Sequence, residues 1–384
     1  MRVAHALQMP LLRQGGVEVL VRTLIEETPL GDRVVLISQD DPADLAKSDF
    51  GHRIQAHLRI PEGPLPESWG RTMANWMVAQ RVDLCHIHLS GTYGWAAWRW
   101  NGGPIIDLAR AGIVTVSTNH SATCLFSSSY APRALWRNLA SATRKWPGKA
   151  RQLSAVRWEA SVSRHDLAVT QRYFPLQNSK LIQIYHSRLD ADVPVSPAPA
   201  SRIILNVGTI AFHKGQHLLV EAFARTATEH PQWQLNLVGY AAEQACLEQI
   251  QSIIRKHGLQ NRVHLCGPDP DPMHRYEEAE IYVQPSLLEG LGLSLQEAMF
   301  QGRACIGSNC GGIPELISDP SLGRLYPAGD VSALARVLSR LMKDPAERQN
   351  LGNAARVSIL ARGMTRQVMS ATYHNLYHKA ISSQ

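Results

Sequence analysis

Short apolar runs alternate with amphipathic stretches along the whole chain. In the first half, "VEVLVRTLIEE" (residues 17–27) carries its apolar residues at helical spacing. Alternation of strands and helices in this manner predicts a parallel sheet that is covered on both faces. The strands predicted in this half are "VAHAL" (3–7), "VVLIS" (34–38), "DLCHIHL" (83–89), "VTVSTNH" (114–120) and "LAVT" (167–170).

A polar, proline-rich stretch, "DADVPVSPAPASR" (190–202), interrupts this alternation and predicts a linker. The alternation then restarts, which indicates two domains, as the length of 384 residues also does. In doubly wound sheets ligands bind at the carboxyl ends of the strands, so we expect a site in a cleft between the domains. The strands predicted in the second half are "IILNVG" (203–208), "QLNLVG" (234–239), "RVHLCG" (262–267), "IYVQPS" (281–286) and "ACIGS" (304–308).

Composition narrows the class of protein. A hydrophobic content of 45% with 18% charged residues is typical of a globular protein. The six cysteines are scattered without a CxxC pair, which favours reduced thiols in the cytosol. No apolar run reaches the roughly 18 residues that a membrane-spanning helix needs.

The positive charge of the chain is concentrated in one segment. Residues 130–165 hold eight basic residues against one glutamate, an excess equal to the net charge of +7. Such a local patch favours one anionic surface as partner over general nucleic-acid binding.

One segment has the pattern of a ligand site. In "PSLLEGLGLSLQEAMFQG" (285–302), seven residues separate Glu289 from Glu297, and a helix is predicted to end at Gly302. The N–H groups of residues 291–294 at the helix N-terminus would bind an anion, and the carboxylates would accept hydrogen bonds from hydroxyls. The alternative is that both glutamates are solvated charges. A dinucleotide fingerprint is excluded because the third glycine is missing.

The order of motifs resembles a known family. "PSLLEGLGLSLQEAMFQGRACIGSNCGGIPELI" is similar to the donor-site signature of the retaining glycosyltransferases of family 4 (glycosyl transferases group 1), which have the GT-B fold. "LNVGTIAFHKGQHLLVEAF" resembles the family's Val-Gly-Arg…Lys-Gly segment. In the first half, "QGGVEVLV" resembles its first loop, "DLCHIHLSG" its Asp-x-x-His-x-His strand end, "VTVSTNH" its strand closing on a histidine, and "SVSRHDLAV" its Val-Ser strand before the linker.

The resemblance implies an α/β protein with the GT-B fold: two Rossmann-like, doubly wound parallel-sheet domains facing across a cleft. Residues 1–190 would bind the acceptor, and the C-terminal helix (366–384) would pack back on them. Residues 191–365 would bind the nucleotide-sugar. The implied activity is a metal-independent transfer of a sugar, with retention of configuration, from a UDP- or GDP-sugar to a glycan or lipid-linked acceptor in bacterial polysaccharide or glycolipid synthesis.

The resemblance also implies residue roles. Glu297 would hold the ribose hydroxyls, Glu289 the transferred sugar, and Lys214 the leaving diphosphate; the alternative for Lys214 is a surface lysine before a helix. The expected catalytic residues are Glu289, Lys214 and His120. The expected donor-binding residues are Gly15, Gly16, Thr209, Lys214, Gly267, Pro268, Glu289, Gly290, Leu291, Gly292, Leu293, Ser294 and Glu297.

In the first domain, Gly15 and Gly16 begin a predicted helix, where the missing side chains would allow close approach of the donor. His120 ends a strand at the place where the family's histidine reaches the reacting centre; the alternative is a satisfied core histidine. His86 and His88 raise the question of a metal, but we expect them on opposite faces of their strand and so not on one ion. Neither a metal nor another cofactor is expected.

Two departures from the family pattern stand out. Thr209 occupies the place of the usual arginine, so a bidentate phosphate contact is lost. Either another arginine, such as Arg13, replaces that contact or the diphosphate binds more weakly. "YHSRLD" (185–190) stands where the family commonly shows Asn-Gly-x-Asp. A degenerate, inactive relative therefore stays an alternative.

The basic segment predicts an amphipathic helix within "PRALWRNLASATRKWPGKARQ" (132–152). Basic helices with tryptophans are typical of membrane-surface contacts, so we expect a cytoplasmic protein that docks on the anionic inner leaflet, where a lipid-linked acceptor would lie. The alternative is a half-buried helix whose arginines are solvated or contact an acidic acceptor. The residues of this predicted membrane or acceptor patch are Arg133, Trp136, Arg137, Arg144, Lys145 and Trp146.

Other functions fit less well. A nucleotide-sugar epimerase or a glycan phosphorylase would share the fold, but the lysine and glutamate pair disfavours both, and no candidate for a pyridoxal lysine is present. A basic nucleic-acid-binding protein is disfavoured because the positive charge is confined to one segment and no nucleic-acid module is recognisable.

Overall fold

The structure is a computed structural model that describes residues 1–13, 15–89, 91, 94–95, 103–121, 135–192 and 200–383, with the backbone alone for 135–144. The chain forms two compact units. Unit 1 comprises Met1–Arg188 and Arg366–Gln384, and unit 2 comprises Leu189–Thr365. The boundary between the units lies two residues before the one drawn from the sequence at 190.

In its described part, unit 1 contains a seven-stranded sheet in the order β3-β2-β1-β4-β5-β6-β7, and all pairs of neighbours are parallel. The strands are β1 (Arg2–Leu7), β2 (Arg33–Ser38), β3 (Ile54–Arg59), β4 (Leu84–Leu89), β5 (Val114–Asn119), β6 (Trp158–Ser161) and β7 (Leu181–Gln183). The helices are α1 (Gly16–Glu26), α2 (Pro42–Lys47), α3 (Trp69–Ala79), α4 (Pro104–Arg110), α5 (Leu135–Ala155), α6 (Arg164–Tyr173) and α14 (Arg366–Ser382).

Unit 2 repeats the architecture with a six-stranded parallel sheet among its described residues, in the order β10-β9-β8-β11-β12-β13. The strands are β8 (Ile203–Val207), β9 (Gln234–Val238), β10 (Val263–Gly267), β11 (Ile281–Gln284), β12 (Ala304–Ser308) and β13 (Arg324–Tyr326). The helices are α7 (Gln216–Thr226), α8 (Gln244–Lys256), α9 (Met273–Glu278), α10 (Leu293–Phe300), α11 (Ile313–Leu316), α12 (Val331–Lys343) and α13 (Pro345–Ala361).

The central strands are buried along most or all of their length because helices cover both faces of each sheet. In unit 1 the strand β4 is buried at every position, and helix α1 turns an apolar stripe toward the sheet that includes Leu20, Leu24 and Ile25. In unit 2 the strand β12 is likewise buried throughout. These two doubly wound parallel sheets confirm the predicted α/β fold class.

One predicted strand is wrong: "LAVT" (167–170) lies inside helix α6. The Oγ of Ser163 accepts a hydrogen bond from the N–H of Asp166 and so caps that helix. An apolar run this short cannot be told from a helical segment by periodicity. The prediction also missed β3, β6, β7 and β13. In β3 no residue is fully buried, and β7 and β13 each have three residues, so the apolar signal is weak there.

Two further properties of the described residues concern the helices and the cysteines. None of the described helices is long and apolar enough to cross a membrane. The described cysteines, which include all but Cys124, are free thiols.

Candidate functional site

An ion pair between Lys214 and Glu289 is the centre of the candidate site in unit 2. Lys214 lies in a 3₁₀ turn, Phe212–Lys214, shortly after strand β8, and Glu289 lies in the loop after β11. The Nζ of Lys214 is 3.1 Å from Oε1 and 2.9 Å from Oε2 of Glu289. Their side chains are 24% and 12% exposed. Glu289 is therefore not a solvated loop charge, and Lys214 is not a free surface lysine.

Backbone packing brings the two loops together. The N–H of Leu287 donates to the carbonyl of His213 at 2.7 Å. Gly215, which precedes α7, has φ of +73°, and a Cβ there would lie 2.0 Å from the carbonyl oxygen of Pro285. Only glycine tolerates both the left-handed backbone and this close approach. Gly215 thus allows the lysine loop to lie directly against the glutamate loop.

A buried chain of hydrogen bonds orients Glu289. Its Oε2 accepts from Gln284 Nε2 at 3.0 Å and from Ser286 Oγ at 2.9 Å. The Oε1 of Gln284 accepts from the hydroxyl of Tyr282 at 2.6 Å. Burial raises the pKa of Tyr282 well above its ordinary value, so this hydroxyl stays a donor. Gln284 and Ser286 therefore fix the orientation of the Glu289 carboxylate, and Tyr282 fixes the orientation of Gln284.

The carboxylate of Glu289 stays ionised in this setting. Burial by itself would raise the pKa of Glu289, but the charge of Lys214 and the hydrogen bonds from Lys214 and Ser286 outweigh burial and leave the pKa below its ordinary value. Oε2 carries three hydrogen bonds from described residues, whereas Oε1 carries one. Since a carboxylate oxygen has two lone pairs, Oε1 retains acceptor capacity.

The N-terminus of α10 lies next in the chain. The first N–H groups of any helix have no partner within the helix. Gly292, at the N-cap of α10, has φ of +96° and offers no side chain that could accept from them. The N–H of Gly312 donates to the carbonyl of Gly290 at 3.0 Å. At Gly311 a Cβ would lie 1.8 Å from the carbonyl oxygen of Glu289. The turn of residues 310–315, the "CGGIPE" turn, therefore packs directly on the backbone of Glu289 and Gly290.

Glu297 lies inside α10 and is only 5% exposed, so it is not a solvated helix residue. Its Oε2 accepts from the hydroxyl of buried Tyr276 at 2.7 Å. The predicted role of Glu297 at a ribose stays a prediction.

The remaining predicted donor residues of unit 2 follow other strands. The carbonyl of Thr209, after β8, accepts from Gln216 Nε2 at 2.9 Å. Gly267 ends β10 with φ of +72°, and the exposed Pro268 follows it. The structure brings Lys214, Glu289 and the start of α10 together; for Gly267 and Pro268 it shows the strand end alone.

In unit 1, Gly15 and Gly16 lie at the start of α1, as predicted. A Cβ on Gly15 would lie 2.3 Å from Oε2 of Glu18, a residue that is only 4% exposed. Burial raises the pKa of Glu18. The missing side chain at Gly15 therefore makes room for the Glu18 carboxylate, which the sequence reasoning did not single out. The predicted contact of these glycines with a donor stays a prediction, as does the role of Arg13, which is exposed in this unit.

The expectation that His86 and His88 face opposite sides of their strand is wrong. Their ring centroids are 4.0 Å apart, because residues i and i+2 of a strand lie on the same face. His5 of the neighbouring strand β1 joins them, and the three buried residues place ligand nitrogens within 4.8 Å of one another. This is the group among the described residues whose spacing would suit a metal ion.

Five of the six ring nitrogens of these three histidines have a hydrogen-bond partner. His86 Nδ1 and Nε2 contact the hydroxyls of Tyr377 at 2.6 Å and Thr118 at 2.7 Å. His5 Nδ1 contacts His88 Nε2 at 3.0 Å. Burial lowers the pKa of His5 to about 3 and those of His86 and His88 well below the ordinary value, so all three are neutral. A metal would have to displace hydrogen bonds that the imidazoles now make with one another and with hydroxyls.

His120 follows strand β5, and its Nε2 lies 3.0 Å from Nδ1 of His88. The ring is half-buried, and burial lowers its pKa well below the ordinary value. No described residue bonds to its Nδ1. His120 is thus satisfied at one nitrogen, as a core histidine would be, and unsatisfied at the other.

Part of the predicted basic patch lies outside what the structure describes. Arg133 is not described, and for Trp136, Arg137 and Arg144 only the helical backbone is. Trp146 is 39% exposed, stacks on Phe174 at 5.6 Å between centroids and donates its indole N–H to the carbonyl of Tyr173. Lys145 is half-buried.

One basic residue of the same segment contributes no surface charge. Lys149 is fully buried, and its Nζ lies 2.7 Å from Oε2 of buried Glu159. This internal pair is the reason why the count of surface charges cannot be taken from the sequence alone.

Several supporting residues were missed by sequence reasoning. Gln284 and Ser286 are two residues apart at the end of β11, so the period of a strand places them on one side, and that signal was available. The sequence gives no such signal for Tyr276, because its contact with Glu297 depends on how α9 packs against α10. Nor does it single out Tyr282, whose hydroxyl bonds to Gln284.

Two family models match the chain. The model described as Glycosyltransferase Family 4 matches residues 14–187, and the model described as Glycosyl transferases group 1 matches residues 191–358. The chain is also similar to the lipopolysaccharide core biosynthesis mannosyltransferase LpcC of Rhizobium leguminosarum bv. viciae, with 27% identity over 175 residues. That match covers 44% of this chain and 50% of LpcC, so the chain spans about half the length of this curated relative.

Solved structures share the fold. Sucrose-phosphate synthase from Thermosynechococcus elongatus superposes with a TM-score of 0.80 at 21% identity, covering 100% of both chains. Anabaena HepE in complex with UDP-glucose superposes with a TM-score of 0.75 at 17% identity, also over 100% of both chains.

Proposed function

This chain belongs to the glycosyltransferases of group 1 and family 4 and has the GT-B fold, and from that premise we propose that it transfers a sugar from a UDP- or GDP-sugar to a glycan or lipid-linked acceptor with retention of configuration. The bond between C1 of the sugar and the diphosphate oxygen breaks, and its electron pair leaves with the diphosphate. The acceptor oxygen bonds to C1 on the face that the diphosphate leaves, and the acceptor proton departs with the diphosphate.

The observation that carries the proposal is the supported pair of Lys214 and Glu289 beside a helix N-terminus. An ammonium has three N–H donors, and Lys214 directs two of them to Glu289. The third is available to a phosphate oxygen. Glu289 Oε1 can accept a hydroxyl of the transferred sugar. The pair thereby combines one contact for the leaving group and one for the sugar.

Leaving-group stabilisation is the main chemical contribution of this site. Charge grows on the diphosphate oxygen as the C1–O bond breaks, and a fixed donor aimed at such an oxygen is typically worth ~3 kcal/mol. Lys214 and the first N–H groups of α10 are the groups that would supply it. Because Thr209 stands in place of an arginine, more of the diphosphate charge falls on Lys214.

The proposal includes no metal. Five of the six ring nitrogens of His5, His86 and His88 are engaged with other histidines or with hydroxyls. The ammonium of Lys214 would supply the positive charge at the diphosphate that a metal ion supplies in metal-dependent transferases. Transfer measured in EDTA and in MgCl₂ tests this directly. Equal rates are expected, and a requirement for a divalent cation would contradict the metal-independent mechanism.

The central experiment is a screen of UDP- and GDP-sugars for donor hydrolysis and transfer, run on wild type and on Glu289→Gln and Lys214→Met. One nucleotide-sugar should be consumed by wild type, with losses of about 100-fold or more in each variant. Thermal shifts with UDP, GDP and DNA run in parallel. Stabilisation by DNA alone would favour the nucleic-acid alternative, and binding without turnover would favour a degenerate relative.

The acceptor and location extend the proposal. HepE was solved with UDP-glucose and LpcC is a lipopolysaccharide core mannosyltransferase, which supports a nucleotide-sugar donor and a role in bacterial polysaccharide or glycolipid synthesis. We further propose that the protein acts on the cytoplasmic face of the membrane, from the basic segment of the sequence alone. Flotation with anionic and neutral liposomes tests the contact. Wild type should float with anionic vesicles, and the variant with Arg133, Arg137, Arg144 and Lys145 changed to Ala should not; equal flotation would exclude the predicted patch.

A further inference from the structure

A connected set of buried polar side chains lies on one face of the unit 1 sheet, beneath helix α14. The hydroxyl of Tyr377 contacts His86 Nδ1 at 2.6 Å, and His86 Nε2 contacts Thr118 Oγ1 at 2.7 Å. Thr118 Oγ1 contacts the hydroxyl of Tyr373 at 2.9 Å, and that hydroxyl contacts His186 Nε2 at 2.8 Å. The five side chains form one unbranched chain of hydrogen bonds that begins at Tyr377 and ends at His186.

The direction of this chain follows from its first member. Tyr377 is 1% exposed, and its hydroxyl contacts His86 alone among the described residues. Burial raises the pKa of Tyr377 well above its ordinary value, so the hydroxyl keeps its proton. A buried O–H without an acceptor is costly, so Tyr377 donates to His86 Nδ1. A neutral imidazole has one donor and one acceptor, and His86 therefore donates from Nε2 to Thr118.

The same rule carries the direction to the end of the chain. Thr118 accepts from His86 and so donates its proton to Tyr373, and Tyr373 donates to His186 Nε2. Burial lowers the pKa of His186 to about 3, so this imidazole is neutral. Its Nε2 is the acceptor, and its proton is consequently on Nδ1. His186 is 2% exposed, and no described residue accepts from that Nδ1.

His120 presents the complementary nitrogen. Its ring centroid is 4.9 Å from that of His186, and its Nε2 is engaged with His88 while its Nδ1 has no partner among the described residues. Two hydrogen bonds of about 2.8 Å to one oxygen allow their two nitrogens to lie up to roughly 5.6 Å apart, a separation that two rings with centroids 4.9 Å apart can satisfy. When His120 donates from Nε2 to His88, its Nδ1 is an acceptor.

We propose that the Nδ1 atoms of His186 and His120 bind one hydroxyl group of a carbohydrate substrate, with His186 donating to the hydroxyl oxygen and His120 accepting its proton. The inference rests on the proposed function and adds His186, in the "YHSRLD" segment that departs from the family pattern, as a residue that determines specificity. A hydroxyl both donates and accepts, which matches a neutral donor beside a neutral acceptor. A phosphate or carboxylate would require a cation, which neither ring supplies.

Two amide variants separate the ligand contact from the structural contact. The amide nitrogen of Asn lies near the position of Nδ1 of a histidine and can replace that donor, and the amide oxygen of Gln can lie near Nε2 and replace that acceptor. His186→Asn should retain substrate binding and lose the contact with Tyr373, whereas His186→Gln should retain the contact with Tyr373 and lose substrate binding. A purely structural histidine would give the same order in stability but the opposite order in activity, with His186→Gln near wild type and His186→Asn impaired.

The measurement uses UDP-glucose, or whichever donor the screen identifies, with and without maltose as acceptor. For His186→Gln we expect KM to rise about 3- to 10-fold at nearly unchanged kcat and Tm, and for His186→Asn a KM near wild type. A change in KM for donor hydrolysis alone identifies a hydroxyl of the donor sugar, and a change only with maltose present identifies the acceptor. Wild-type KM in His186→Gln for both substrates would overturn the inference while leaving the proposed function intact.

A second measurement needs no activity. Long-range ¹H–¹⁵N spectra of protein labelled at histidine report which ring nitrogen carries the proton, and His186→Gln assigns the signal. His186 is expected with its proton on Nδ1 and His86 with its proton on Nε2. A proton on Nε2 of His186 would reverse the chain and overturn the inference even if no substrate were known, whereas failure of the proposed function would show as absent stabilisation by UDP or GDP.

Discussion

The ammonium of Lys214 lies 2.9 and 3.1 Å from the two carboxylate oxygens of Glu289, although 74 residues separate them in the chain. The pair lies where the ends of β8 and β11, neighbours in the sheet of unit 2, are followed by loops that pack on each other. Adjacent parallel strands deliver their carboxyl-end loops to the same edge, which is why this edge gathers ligand-binding groups. The geometry of this pair leads to the first predictions.

Lys214→Met is expected to lower the free energy of unfolding by about 1–3 kcal/mol, because it leaves a nearly buried carboxylate without its cation. The double variant Lys214→Met with Glu289→Gln should recover much of that loss, since no uncompensated charge remains. Urea unfolding of the four proteins of the cycle measures the coupling. Strictly additive effects would show that the two side chains do not interact in solution.

Gln284→Leu is expected to destabilise the protein by about 1–3 kcal/mol, because both the hydroxyl of Tyr282 and Oε2 of Glu289 lose a partner. Donor turnover should fall as well, since Glu289 would no longer be held in one orientation. In the background of Tyr282→Phe the same substitution should cost less, because no buried hydroxyl is then left with the distant carbonyl of Val207, at 3.4 Å, as its acceptor. An equal cost in both backgrounds would disprove the chain of contacts.

Gly311→Ala should disrupt the site through the backbone. At Gly311, φ is +53° and a Cβ would lie 1.8 Å from the carbonyl oxygen of Glu289, whereas at Gly258 φ is +64° with no atom within 4 Å. Gly258→Ala is therefore a matched control. It should lower the free energy of unfolding by about 1–2 kcal/mol, because alanine disfavours the left-handed conformation. Gly311→Ala should cost a further 1–3 kcal/mol or so from overpacking. Equal unfolding free energies for the two variants would mean that the "CGGIPE" turn can move away.

Lys149→Met is expected to destabilise the protein by about 3–5 kcal/mol, because Glu159 would remain as a buried, unpaired charge. The Oε2 of Glu159 also accepts from Ser117 Oγ at 2.9 Å, so the double variant Lys149→Met with Glu159→Gln should regain stability. Binding to anionic liposomes should be unaffected, since the residue is internal. Reduced flotation of a still-folded Lys149→Met protein would refute its assignment to the core.

Stability should fall as the pH drops below about 6.5. Burial lowers the pKa of His5 and His186 to about 3, and that of His120 well below its ordinary value. Between pH 6.5 and 3 the unfolded chain therefore binds protons that the folded chain does not, which favours unfolding. Each such histidine contributes a slope of about 1.4 kcal/mol per pH unit, and above pH 7 the contribution is complete and constant.

Urea unfolding at a series of pH values measures this slope. His186→Gln removes one titrating imidazole, so its slope should be smaller than that of wild type by one proton. A slope that stays the same in His186→Gln, or a stability that is flat between pH 5 and 7, would show that these imidazoles are accessible to protons in the folded state.

The outline of the fold was predictable where strands are buried and mostly apolar. The predicted strands around β1, β4, β8 and β12 differ from the observed ones by about one residue at each end, because burial on both faces leaves a largely apolar signal. The same reasoning missed the edge strands β3 and β13, which are short or partly exposed. It also mistook part of α6 for a strand, since a run of four residues does not define a period.

The candidate site was predictable in part. The spacing of Glu289 and Glu297 around a glycine loop, and a lysine before Gly215, are local patterns that indicate the chemistry. The pairing of Lys214 with Glu289, and the support from Gln284 and Tyr282, depend on which strands are neighbours in the sheet. The order of strands in the sheet cannot be read from any single segment of the sequence.

The sequence alone therefore determined the elements whose signal is local: the alternation of strands and helices, the glycine turns and the kinds of side chain that end each strand. Only the tertiary structure decided which of these side chains meet. His86, Thr118, His186 and Tyr377 are far apart along the sequence and belong to one chain of hydrogen bonds because β4, β5 and α14 pack together. Lys149 became a core residue because Glu159 faces it. Periodicity reports the face on which a residue lies, whereas its partner depends on the packing of segments distant in sequence.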